Sequence, residues 1–153
     1  MGICNTTSLM NEERSTTDID NHADTCVVGC NCHIFQTFDR HVDVTGYDPG
    51  KGKESDVDVV SAAIAYDHPL TGEVFILIIH QAISIPSLVN NLLCPFQLRM
   101  NDVKANECPK MLAQNPTIDT YAISIQVNEL ELVIPSMFNG VTSMFYTRKP
   151  STC

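Results

Sequence analysis

One stretch limits what this chain can fold into more than any other: Ile19-Asp20-Asn21-His22-Ala23-Asp24-Thr25-Cys26-Val27-Val28. An apolar lead reaches a carboxylate. Two polar residues, a small residue and a second carboxylate follow, and then the chain returns to β-branched side chains. A strand that delivers an Asp to a tight loop and leaves again as a strand has this pattern.

The chain has 153 residues, the size of one domain or of one domain with tails. Hydrophobic residues make up 44%, with no Trp and only 7% aromatic content, so the core must be aliphatic. Eighteen acidic residues face nine basic ones, for a net charge of −9, which argues against nucleic-acid binding through phosphate neutralisation. No run of 18 apolar residues exists, so no helical membrane span is expected. Seven Cys, an odd number without a recognisable signal peptide, suit reduced thiols in a cytosolic or nuclear setting; a cytoplasmic location is the expectation. The opening MGICNT fits the loose pattern for N-myristoylation, with Cys4 as a palmitoyl site. Chance supplies that pattern often, and a stray match or a fragment start is the preferred reading.

Residues 1–17 are polar and aperiodic and read as a disordered leader, with structure beginning near Thr17. Cys26–Val28 is strand-like. His41–Thr45 and Asp56–Val60 alternate polar and apolar residues, the period of half-buried strands. Between them, Gly46–Gly52 holds three Gly, one Pro and one Asp, so the two strands make a hairpin with a Gly-rich tip. Ser61–Tyr66 is Ala-rich and ambiguous, and its place favours strand. Glu73–His80 is nearly continuous in apolar residues, which predicts a strand buried on both faces. Ala82–Pro86 reads as a further short strand. Pro95 suits the first turn of a short helix over 95–98. Asn101–Ala113 is irregular. Tyr121–Val127 and Glu129–Ile134 can pair as a hairpin through Asn128. The tail Gly140–Cys153 shows no closing element.

The Asp20 stretch resembles the active-site loop of retroviral-type aspartic proteases, where an apolar residue precedes Asp, Thr or Ser, Gly, Ala and often Asp. Ile19, Asp20, Ala23 and Asp24 match, whereas Asn21 stands in the Thr/Ser place and His22 in the Gly place. Further along, Thr71-Gly72-Glu73-Val74 through Ile85-Pro86, then Asn91-Leu92-Leu93 and Gln97-Leu98, resembles the end of protease domains in copia-type retrotransposon polyproteins. Cys94 takes the place of the Ser that closes the family's Asn-Leu-Leu-Ser box. Leu88-Val89-Asn90 lacks the Gly that retropepsins proper carry before that box. The resemblance covers about residues 18–105. It implies a mainly β, retropepsin-like barrel over those residues, with one short helix and a homodimeric assembly. Residues 106–153 then read as a C-terminal extension of the polyprotein. It implies an aspartic endopeptidase that cuts polypeptide at polyprotein junctions, with Asp20 catalytic. Asn21, His22, Ala23, Asp24 and Gly50 would line the substrate, and the hairpin tip at 46–52 would be a closing flap. No cofactor or metal is implied.

Peptide hydrolysis by carboxylates needs two of them, one as general base toward water and one as general acid toward the carbonyl oxygen. Like charge at short range keeps one protonated, and the pair titrates as a unit. A chain with one such loop must borrow its second carboxylate from a symmetry mate. The two departures bear on this directly. The amide of Asn21 has a different reach from the hydroxyl that grips across the family's dimer. An imidazolium at His22 would favour the doubly ionised, inactive dyad. A second register, Asp24-Thr25-Cys26, makes Asp24 the catalytic group and Thr25 the grip. The plain reading of Asp24 is a turn-capping residue.

Three other readings compete. A catalytically inactive β domain could persist as a dimerisation or binding module, and Asn21 and His22 favour it. Cys26, Cys30, Cys32 and His33, with His22 nearby, invite a zinc site, but they form one compact group without the usual second ligand pair downstream. A Cys-His hydrolase built on Cys26 or Cys94 has no partner that sequence can assign. His68 and His80 read as loop and strand-end residues, and Tyr47 and Tyr66 as rim residues.

Overall fold

A computed structural model describes residues 14–45 and 52–151. Residues 46–51 of the expected hairpin tip 46–52, Gly50 among them, lie outside the described residues, as do residues 1–13 of the expected leader 1–17, with its MGICNT motif.

The described residues fold into two sheets and one short α-helix. The strands are β1 (Ser15–Ile19), β2 (Val27–Val28), β3 (His33–Thr45), β4 (Lys53–Asp67), β5 (Val74–Ser84) and β6 (Asn91–Leu93). Helix α1 (Pro95–Met100) follows, then β7 (Lys104–Asn106), a 3₁₀ turn at Lys110–Leu112, β8 (Ala122–Val127), β9 (Leu130–Pro135), β10 (Met137–Asn139) and β11 (Thr142–Thr147). The larger sheet runs β10-β11-β1-β6-β2-β5-β4-β3, and the smaller one β7-β8-β9. Two pairings in the larger sheet are parallel, β1 with β6 and β2 with β5; the rest are antiparallel. The protein is mainly β with one short helix, as its alternating segments predict.

The larger sheet curls back on itself. Ala65 on β4 and Arg148, just past β11, exchange two backbone hydrogen bonds, N–H to O at 2.9 and 3.0 Å. The Arg148 guanidinium also reaches both carboxylate oxygens of Asp67, at 2.7 and 3.1 Å. Strands far apart in sheet order are thereby tied together.

One apolar cluster joins both sheets. It takes Val60, Ala62, Ile64 and Tyr66 from β4, Ile123, Leu132 and Ile134 from the small sheet, and Phe145 from β11. The Ala-rich segment is the strand buried on both faces, since every residue from Val59 to Tyr66 is buried. Small side chains suit a strand with packing on either side. Ser61 in that run bonds to His80 Nδ1 at 3.1 Å.

That placement corrects the reading of Glu73–His80. β5 is half-buried, and Ile78 is 47% exposed, because the two-sided burial falls on its neighbour β4. Ala82 and Ile83 do not start a new strand but continue β5. The irregular stretch 101–113 holds β7 and the 3₁₀ turn. The hairpin at Asn128 forms as its sequence predicts, with Asn128 at φ 54°, a conformation Asn tolerates well.

β1 begins at Ser15, ahead of Thr17. Residue 105 separates no two sheets, because β11 lies between β10 and β1 in the same sheet as the Asp20 strand. The tail contains the closing element its sequence does not advertise. Thr16, Tyr146 and their neighbours pair over five positions, and buried Thr17 and Thr147 bond through their hydroxyls at 2.7 Å.

Candidate active site

The alternation of β1 sends Ser15, Thr17 and Ile19 into the core and leaves Thr16, Asp18 and Asp20 half-buried on the other face. Asp20 is the first residue beyond the strand. Its backbone N–H donates to Leu93 O at 3.0 Å, continuing the parallel register Thr17↔Asn91, Asp18↔Leu92, Ile19↔Leu93. The loop then folds on Asp20 itself. His22 N–H donates to Asp20 Oδ1 at 2.9 Å, and Ala23 N–H to Asp20 O at 3.3 Å. A carboxylate that accepts its own loop's N–H helps to hold that loop shut.

The loop's exit is clamped from α1. Gln97 Oε1 accepts from Thr25 Oγ1 at 3.0 Å and from Cys26 N–H at 2.7 Å. Beyond it, β2 leads to Gly29, whose N–H donates to the side-chain oxygen of buried Asn91 at 2.9 Å. A Cβ at Gly29 would sit 2.3 Å from Leu88 O, so the chain here requires glycine for close approach. The segment that leads into β6 and α1 thus braces the Asp20 loop at three points, through Leu93, Gln97 and Asn91.

A groove of about 960 Å³ opens over this loop. Asp20, His22, Ala23 and Asp24 are among the residues that line it. Val42 and Val44 of β3 and Val59 of β4 form one wall, and Val27, Ile83 and Leu92 contribute apolar surface. Strands β3 and β4 and the carboxylate loop therefore face the same groove. Arg40 on β3 also lines the groove.

The sequence-predicted residues divide as follows. Asp20, His22, Ala23 and Asp24 come together at the groove, while Asn21 is exposed and outside its lining. Gly50 lies outside the described residues. Asp24 is exposed and its neighbour Thr25 is spent on Gln97, so the Asp24-Thr25-Cys26 register lacks a free gripping hydroxyl. Cys26 and Cys32 turn into the core and Cys30 is exposed. Among the described residues no three His, Cys, Asp or Glu side chains gather as a metal site. Burial pushes the Cys26 thiol up to about 11, which unsuits it as a nucleophile. In the sequence Asn91 and Gln97 stand only as parts of a motif, and their bracing role shows only in the fold. Arg40 belongs to no motif.

No protein-family profile, no curated protein and no solved structure matches this chain.

Proposed function

We propose that this chain is a retropepsin-like aspartic endopeptidase module of a retroelement polyprotein, with Asp20 as its catalytic carboxylate. One observation carries the reading: Asp20 stands just past the end of β1, bonded to β6, and lines one groove together with apolar side chains of β3, β4 and β5. That is the place a peptide-cleaving carboxylate needs, open to an extended substrate and held rigidly from behind.

Asp20 is the one carboxylate the loop holds in this way, and it works with the Asp20 of a second copy across a two-fold axis. In such a pair one carboxylate takes a proton from water as the water attacks the peptide carbonyl. The other donates a proton to the carbonyl oxygen. The groove binds the peptide through apolar side chains on both sides of the cleaved bond.

A second reading rests on His22. Its imidazole lines the same groove, two residues from Asp20. A cation there stabilises two ionised carboxylates and so suppresses the shared proton. In this reading the fold is a peptide-binding or dimerisation module without turnover, and His22→Gly raises activity.

Peptidase assays at acidic pH on the parent polyprotein's junction peptides separate the two. The endopeptidase reading expects cleavage that Asp20→Asn abolishes and that falls more steeply than protein concentration on dilution through dimer dissociation. Cleavage that survives Asp20→Asn ends it. Full specific activity in a monomer ends the shared dyad.

A further inference from the structure

The groove carries a charge that the proposed chemistry does not use. Arg40 lies on β3, two and four residues before Val42 and Val44, and all three line the groove. It is exposed. No carboxylate among the described residues pairs with it, although acidic residues outnumber basic ones two to one in this chain. Four other cations among the described residues are matched. Lys53 holds Asp43 at 2.6 Å, Arg99 holds Glu107 at 2.9 Å, and Arg148 holds Asp67 at 2.7 Å.

The groove's own carboxylates do not satisfy it. Asp43 is committed to Lys53 and also accepts the Asp56 N–H at 3.3 Å, and both contacts hold its pKa below the usual value. Asp20 accepts from its own loop. Asp24 sits on the same loop and makes no ion pair among the described residues. An arginine fork presents five donors in a plane that matches a carboxylate. Set at the side of an apolar groove, it is complementary to one acidic side chain on an otherwise apolar ligand.

We propose that Arg40 selects polypeptide segments that carry an Asp or Glu to one side of an apolar stretch seated over Asp20. The inference rests on the groove being a peptide site and names the substrate class that site takes. The apolar walls supply affinity. Arg40 sets the register of the bound segment, because only one placement puts the acid against the guanidinium. In a chain of net charge −9, long-range attraction for an acidic segment is weak, so the selection is local and needs the contact itself.

The test uses the full chain and a set of fluorescein-labelled peptides. Each has a central Leu-Phe pair in an Ala/Ser frame, with Asp, Ala or Lys placed in turn at every flanking position. Binding is read by anisotropy on Asp20→Asn protein, and cleavage is read on the unmodified protein. At one flanking position Asp should bind about tenfold more tightly than Ala, the scale of one partly exposed charge-assisted contact. Arg40→Gln should erase that ratio, Arg40→Glu should transfer the preference to Lys at the same position, and added salt should shrink it. Binding without a preferred acid position, or a preference that survives Arg40→Gln, overturns the inference and leaves the endopeptidase reading standing. Acid-dependent binding without cleavage supports the inference and removes the endopeptidase. No binding by any peptide removes both.

Discussion

The side-chain oxygen of Gln97 accepts the backbone N–H of Cys26 at 2.7 Å, across 71 residues of chain. The same oxygen takes the Thr25 hydroxyl at 3.0 Å. One amide on the first turns of a six-residue helix therefore fixes the exit of the Asp20 loop. The helix can present it there because Pro95 stands at its start, where a missing N–H costs nothing.

Gln97→Leu keeps the size of the side chain and removes the acceptor. It leaves the Cys26 N–H, a group in a buried residue, without a partner. The loss should be about 1–3 kcal/mol in urea unfolding, the cost of an orphaned buried donor. Gln97→Glu retains an acceptor and should keep most of the stability. Equal losses in the two variants would show that the clamp is a packing contact and not a hydrogen bond.

Gly29→Ala should be among the most damaging single-methyl additions in the chain. Its Cβ would lie 2.3 Å from Leu88 O and 2.8 Å from Asn90 O, both backbone atoms that cannot swing away. The Gly29 N–H would also be forced off Asn91, breaking a bond that supports the β2–β6 pairing. We expect a loss above about 3 kcal/mol, beyond ordinary overpacking. A variant that melts within a few degrees of the unmodified protein would mean that the two segments are not in contact.

Much of the fold was legible because local pattern and tertiary position agree. The alternation of His41–Thr45 and Asp56–Val60 belongs to two long paired strands, and Asn128 does turn the β8–β9 hairpin. Asp20 could be placed in a strand-to-strand loop from its flanks alone. Other features were not legible, for a shared physical reason: they are set by partners distant in sequence. Ser61–Tyr66 is buried on both faces only because the small sheet covers it. The tail looks open until Thr142–Thr147 is seen beside β1, 132 residues from its partner Ser15 at the Thr147 end. Gln97 and Asn91 read as ordinary polar residues until their acceptors are seen to meet the backbone on either side of β2. Arg40 carries no motif, and its meaning lies in what it fails to pair with.

Phe145→Ala tests whether the C-terminal strand belongs to the core. Phe145 is 1% exposed and meets Tyr66 edge-on, with ring centroids 5.9 Å apart. Truncation should cost about 3–5 kcal/mol, the usual range for a buried Phe. The tail would be a dispensable extension if the loss stayed near that of an exposed substitution such as Val141→Ala, at a residue 98% exposed.

Asp18 shares a face of β1 with Asp20 and stands half-buried beside Thr16 and Asn90. Burial raises its pKa above the usual carboxylate value. The side chains of Thr16 and Asn90 pull it down, and the charge of Asp20 adds a further push upward. A carboxyl that binds its proton more tightly when folded stabilises the fold below its unfolded pKa. That stability is lost as pH rises through the folded pKa. At neutral pH the ionised Asp18 is therefore a net burden. Asp18→Asn removes the titration while keeping shape and hydrogen-bonding capacity. It should raise the melting temperature modestly at pH 7, and the gain should fade as pH drops below the ordinary Asp range, where Asp18 is neutral in both states. Thermal unfolding of both proteins from pH 3 to pH 8 gives the difference curve. A gain that is flat across that range would place its origin outside ionisation. A loss at pH 7 would mean that the ionised carboxylate has a stabilising partner, and a cation brought against Asp18 by a second copy of the chain would be the first to seek.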